Sequence, residues 1–224
     1  MEKFFLTILT VLIFSYNSRG QAEIFEPNLI SDNKAFGLTI SPNGQELFYV
    51  KSFGGRDTLQ IYQSKKVNNQ WTRPELAFFA DKNFVQIDPA YSPDGNSLLF
   101  NVLTSKESSF DIYLTHRTVS GWTKPEKLSD SINTNAADFY ATISSKGNIY
   151  FARRNQSIDI YVSYFIDNKY QKAIPLEKTI NTEKSESNPY ISPKEDYLIF
   201  FSDKADGFGD SDLSTGTKIT HGMT

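Results

Sequence analysis

Ser92-Pro93-Asp94-Gly95-Asn96-Ser97-Leu98-Leu99-Phe100, continued by Asp111-Ile112-Tyr113 and Trp122-Thr123-Lys124-Pro125, is the stretch on which the fold turns. Proline presets φ for the first corner of a tight turn, aspartate bonds its own backbone and glycine accepts positive φ, so Ser92–Gly95 reads as a hairpin turn. The apolar run Leu98 to Phe100, bounded by that turn, reads as a buried strand. In Asp111-Ile112-Tyr113 the isoleucine faces away from its neighbours, as a period of two requires. Pro125 cannot donate to a strand ladder, so the Trp-x-x-Pro segment is expected as the outermost strand of its sheet.

The same order of landmarks recurs along the chain. Further turns stand at Ser41-Pro42-Asn43-Gly44, Ser144-Ser145-Lys146-Gly147 and Ser192-Pro193-Lys194-Glu195, and the four turns start 51, 52 and 48 residues apart. Apolar runs follow each of them: Leu47 to Val50, Ile149 to Ala152 and Tyr197 to Phe201. Asp-Ile-Tyr returns at Asp159 to Tyr161, with weaker copies at Gln60-Ile61-Tyr62 and Asp212-Leu213. An aromatic residue stands nine positions after the tyrosine in three copies, as Trp71, Trp122 and Tyr170, which implies a hairpin of fixed length. No segment has helical periodicity. About four short strands every ~50 residues are the signature of a propeller blade, because one small sheet has two apolar faces and buries both only between neighbours. The expectation is an all-β protein, a β-propeller of four-stranded antiparallel blades, with repeats at approximately 36–87, 88–138, 139–187 and 188–224.

These residues, the second copy above all, resemble the WD40-like propeller repeats marked by a Ser-Pro-Asp-Gly turn, the kind found in TolB-like propellers. The resemblance covers residues 36 to 213. It implies the architecture; members of the family serve as protein-interaction modules and as domains of peptidases, so it implies little about activity. The fourth copy departs from the pattern. Asp212-Leu213 continues as Ser214-Thr215-Gly216, without a tyrosine or a Trp-x-x-Pro strand. Phe25-Glu26-Pro27-Asn28-Leu29 looks like an orphan outer strand. Two architectures follow: a four-bladed ring closed by residues 24–30, or an incomplete ring belonging to a larger propeller. The loss of pattern after Leu213 favours the second.

Upstream, Met1-Glu2-Lys3 and an apolar stretch from Phe4 to Phe14 precede a polar run, with small residues Ser18 and Gly20 placed for cleavage before Gln21. This is the layout of a signal peptide, so residues 1–20 are expected to be removed and 21–224 to form a single propeller domain, secreted or periplasmic in a bacterial envelope, with no transmembrane segment after cleavage. The 224-residue chain has no cysteine, which excludes disulfides, thiolate metal sites and cysteine nucleophiles. Its net charge of −3, without a basic block, argues against nucleic acid as a partner.

Chemistry is sparse. No Gly-x-Ser-x-Gly nucleophile elbow occurs, and the histidines are His116 and His221 alone. Asp203, Asp206, Asp210 and Asp212 lack the spacing and the distal glutamate of a calcium loop. Trp71, Trp122 and Tyr170 hold fixed places in the repeat and read as packing residues before sugar platforms. No catalytic residue, metal ligand or cofactor is assigned. The loops entering the inner strands form one rim of a propeller channel, which singles out Gln86, Asp88, Asp138, Tyr140, Glu186 and Asn188 as a polar, acidic binding set. The expected function is non-catalytic binding of a protein, peptide or glycan. The alternatives are a carbohydrate-active enzyme of sialidase or glycan-lyase type, built on Asp88 and Asp138, or a non-functional fragment of a longer propeller protein. Oligomeric state is not legible in the sequence.

Overall fold

A computed structural model describes residues 23–105, 108–204 and 210–217 of the chain. The expected signal peptide, Asp206 and His221 lie outside them. The described residues form four antiparallel blades. Blade 1 consists of β1 (Ala35–Ile40), β2 (Glu46–Lys51), β3 (Gln60–Val67), β4 (Gln70–Trp71) and β5 (Glu75–Leu76). Blade 2 consists of β6 (Val85–Tyr91), β7 (Ser97–Leu103), β8 (Asp111–Thr118), β9 (Gly121–Trp122) and β10 (Glu126–Lys127). Blade 3 holds β11 (Ala137–Ile143), β12 (Ile149–Arg154), β13 (Ile158–Ser163) and β16 (Ile174–Pro175), with β14 (Phe165–Ile166) and β15 (Lys169–Tyr170) as a separate ribbon. Blade 4 has three strands among the described residues: β17 (Glu186–Ile191), β18 (Tyr197–Ser202) and β19 (Asp212–Thr217).

The turn between the first two strands of each blade is built as its chemistry dictates. The Ser92 hydroxyl accepts the Ser97 amide at 2.8 Å, and the Gly95 amide donates to the Ser92 carbonyl at 2.9 Å with φ at +72°. Ser41 and Ser192 accept the Glu46 and Tyr197 amides in the same way. In the fourth turn Glu195 takes the left-handed position with φ at +63°, where the other turns use glycine.

The outer strand is not continuous. Trp71 pairs with the far end of β3 through β4, and the chain then crosses back so that β5 pairs with its middle. Blades 2 and 3 repeat the break. Pro74 and Pro125 accompany it in the first two blades, but Ala173 stands at that position in the third. Common to all three is a buried hydroxyl donating to the carbonyl at the break: Ser64 to Thr72, Thr115 to Thr123 and Ser163 to Gln171. That bond diverts the chain, and proline merely tolerates the site.

The core lies between blades. Phe48, Val50 and Ile61 of blade 1 pack against Leu98, Phe100 and Val102 of blade 2. The alternate residues Leu99, Ile112 and Leu114 face Ile143, Ile149 and Phe151 of blade 3. Tyr150, Ile160 and Val162 then meet Ile191, Leu198 and Phe200 of blade 4. A period of two thus feeds each strand's apolar residues into two interfaces.

The two terminal faces differ. Residues 24–30, expected as a closing strand, form turns with an isolated Pro27–Ser31 bridge and no strand. Ile30 and Leu29 instead cover Leu47 and Tyr49 on the outer face of blade 1, and Phe25 meets Trp71 edge to face at 6.2 Å. Pro27 and the left-handed backbones of Glu26 and Asn28 explain why an extended strand does not form here. The outer face of blade 4 keeps Leu213 70% exposed, with Tyr197 and Phe201 each about two-fifths exposed beside it.

Candidate functional site

The innermost strands β1, β6, β11 and β17 stand side by side along the channel, and each breaks register at the same place. The ladder skips between Phe36 and Thr39, Ile87 and Ala90, Phe139 and Thr142, and Ser187 and Tyr190. At each skip one residue occupies the left-handed region: Gly37 at +59°, Asp88 at +55°, Tyr140 at +53° and Asn188 at +52°. Every one stands four residues before the serine of the following turn. Glycine adopts this backbone freely, whereas a side chain there costs about 1 kcal/mol, aspartate and asparagine being the best tolerated. Three of the four blades nevertheless carry a side chain at the bulge, and these are Asp88, Tyr140 and Asn188 of the expected rim.

The other three expected rim residues are spent internally. Gln86 accepts the Asp81 amide at 2.9 Å. Asp138 accepts the Thr134 amide at 2.7 Å and hydroxyl at 3.0 Å through one oxygen, and the Arg153 Nε at 2.6 Å through the other. Glu186 accepts the Thr182 amide at 2.8 Å, the Thr182 hydroxyl and the Ser202 hydroxyl. All three are buried, and each closes the loop that leads into its strand. These three side chains are thus engaged inside their own blades. Asp138 of the suggested carboxylate pair is held inside the blade by Arg153 and Thr134.

Asp88 is different. It lines a cavity of about 780 Å³ at the N-terminal ends of the inner strands, together with Phe36, Asp57, Leu59, Phe110 and Tyr140. Its Oδ2 is sealed from solvent and has no hydrogen-bond partner. Burial pushes its carboxyl up from 3.8 to about 7. The Tyr140 bulge beside it is pinned by Asn101 of β7, which accepts the Tyr140 amide and donates to the Asp138 carbonyl, both at 3.1 Å. At the other end of the channel a 430 Å³ space is lined by Pro42, Pro93 and Pro193 of the turns and by Tyr91 and Tyr190. Of these two spaces, only the one beside Asp88 is lined by carboxylates.

Several contributors lie outside the repeated landmarks. Phe36, Asp57 and Phe110 come from loops or strand ends without a repeated landmark, and only folding brings them to Asp88. Asn101 carried a signal, a polar residue inside an otherwise apolar run, as did Asn133 and Asn181 in the repeated Ile-Asn-Thr.

The remaining candidates are structural. Trp122 carries Arg117 over its ring at 4.2 Å and stacks with Phe78 at 6.0 Å; Trp71 packs with Phe25, and Tyr170 with Phe165. His116 hydrogen-bonds Ser97 through Nδ1. Asp203 accepts the Ser211 hydroxyl. Among the described residues no three histidine, cysteine, aspartate or glutamate side chains are grouped to hold a metal ion.

No family model and no curated protein matches the chain. Solved structures do. A putative TolB from Agrobacterium tumefaciens superposes with a TM-score of 0.56 at 20% identity, covering 82% of this chain and 61% of that one. A puromycin-hydrolyzing peptidase from Mycobacterium tuberculosis gives 0.57 at 11% identity, over 83% of this chain and 27% of the peptidase. Oligogalacturonate lyase in complex with manganese gives 0.50 at 12% identity, over 82% and 50%. The chain thus spans less than two thirds of these structures' lengths. At such identities the likeness establishes the propeller fold alone.

Proposed function

We propose that this chain is a non-catalytic propeller of a bacterial envelope, related to the WD40-like Ser-Pro-Asp-Gly repeats, that binds a segment of another protein at the acidic mouth of its channel. One observation carries the reading: an open cavity of peptide size walled by aromatic rings, into which the repeat directs side chains from left-handed positions. Ligand sites of this kind hold a few polar groups among apolar walls and measure roughly 300–1,000 Å³. The non-catalytic part of the reading is supported by the internal engagement of Asp138, Glu186 and Arg153. The envelope assignment rests on the apolar stretch Phe4 to Phe14. No helix among the described residues is long and apolar enough to cross a membrane.

The test is capture of a random peptide library by the purified protein and by Tyr140→Ala, alongside a glycan array and assays on sialoside and polyuronate substrates. Retention of a defined peptide set, weakened at least tenfold by Tyr140→Ala, is expected. Turnover of a glycan substrate, or peptide capture indifferent to Tyr140→Ala, would refute the reading.

A further inference from the structure

We propose that the cavity at the channel mouth is built for one cationic side chain, the ammonium of a lysine or the guanidinium of an arginine, with the Asp88 carboxylate as its counter-ion. The inference rests on the binding-module reading and names the chemistry of its ligand. It begins from an imbalance. The buried carboxylates of Asp138, Glu186, Glu46 and Glu195 each have partners: Arg153 and Thr134, Thr182 and Ser202, Tyr91 and Arg117, Lys146 and Asn148. The Asp88 Oδ2 is sealed and has none; Asp111 Oδ1 is also without one, but the other oxygen of Asp111 pairs with Lys127 at 2.8 Å. A buried polar atom without a partner costs about 1–3 kcal/mol, more when charged. Asp88 also holds a left-handed backbone that Gly37 adopts without strain in blade 1. A carboxylate kept at two such costs, on a residue that lines a cavity, is matched by a partner from outside the chain.

The cavity's other features select among cations. A volume of about 780 Å³ is far too large for one metal ion and accommodates a long side chain with adjoining backbone. The oxygen set is too thin for a divalent cation, which takes six to eight oxygen ligands if calcium. Phe36, Leu59, Phe110 and Tyr140 offer apolar and aromatic wall to an aliphatic stem, and aromatic faces attract a cation directly. The titratable groups lining the space are Asp88 and Asp57 with the Tyr140 phenol, and none of the described lining residues is basic. An incoming ammonium therefore meets the Asp88 carboxylate among apolar and aromatic walls. Burial of Asp88 fits the assignment, since a cation that stabilises its charged form draws the raised carboxyl back toward its ordinary range.

The experiment is calorimetric titration of the full chain with acetylated, amidated pentapeptide pools whose central residue is fixed as lysine, arginine, norleucine or glutamate. Asp88→Asn, checked by urea unfolding, and calcium chloride alone serve as comparators. The lysine- or arginine-centred pools are expected to bind at least tenfold more tightly than the norleucine pool, and Asp88→Asn is expected to erase the difference. Equal binding of the lysine, arginine and norleucine pools, or a preference that survives Asp88→Asn, would overturn the cationic site while leaving a peptide-binding module in place. Binding of calcium that depends on Asp88 would overturn it in favour of a metal site. No binding of any pool would remove both readings together.

Discussion

At the scale of single residues, Asp88 ties ligand chemistry to stability. Its carboxyl titrates near 7 in the folded protein against 3.8 in an exposed chain, so between these values the folded state holds a proton that the unfolded state has released. Stability from this group is complete below about pH 4 and is lost as pH rises through 7, with a slope of at most about 1.4 kcal/mol per pH unit. Asp88→Asn removes the titration and keeps a residue that tolerates the left-handed backbone. Urea unfolding is expected to find the variant more stable than the parent at pH 8, with the gap closing toward pH 4. A gap independent of pH would place the raised carboxyl elsewhere. The sequence pointed to residue 88 by its distance from the serine turn, yet it pointed equally to Gln86, Asp138 and Glu186. What separates the two sets is the bulge: two positions along a strand normally return to the same face, but the register skip sends one set into the loops and the other to the channel.

At the scale of strands, the blades are stapled by asparagine. Asn133 is buried; its Oδ1 accepts the Ile112 amide at 2.7 Å, while its Nδ2 donates to the carbonyls of Ile112 at 3.0 Å and Leu128 at 2.8 Å. Asn181 makes the equivalent bonds to Ile160 and Leu176 in blade 3. Each ties the end of the outer strand to the strand inside it, where the ladder has been interrupted. Asn133→Ala strands buried backbone groups and is expected to cost about 2–4 kcal/mol by urea unfolding, several times the cost of an exposed asparagine such as Asn135→Ala. The strands themselves were legible because turn chemistry and apolar runs are local signals. The split outer strand was not, because it depends on a hydroxyl from a strand eight residues earlier meeting a carbonyl, as Thr115 meets Thr123.

At the scale of the molecule, the repeat makes stability a matter of neighbours. Blades 2 and 3 are packed on both faces, blade 1 has its free face covered by Leu29 and Ile30, and blade 4 packs against blade 3 while Leu213 and Phe201 stay exposed on the other side. Amide hydrogen exchange is expected to be faster in β18 and β19 than in β7 and β12 by an order of magnitude or more, because opening blade 4 breaks one interface and opening a middle blade breaks two. Uniform protection across the four blades would contradict this. The propeller was legible from the spacing of its turns. The role of residues 24–30 was not, since an apolar segment with a proline suits an outer strand and a cap alike, and only Leu47 and Tyr49, left bare by the first blade, decide between them.

The bulge on each inner strand has a consequence for how such a protein changes over time. Its residue stands outside the ladder, so in blades 2, 3 and 4 its side chain is free of the pairing pattern of the strand. Glycine, aspartate, tyrosine and asparagine already fill the four places. Two of these residues, Asp88 and Tyr140, stand at the mouth, and a lineage can rewrite them while the ladder that displays them stays as it was.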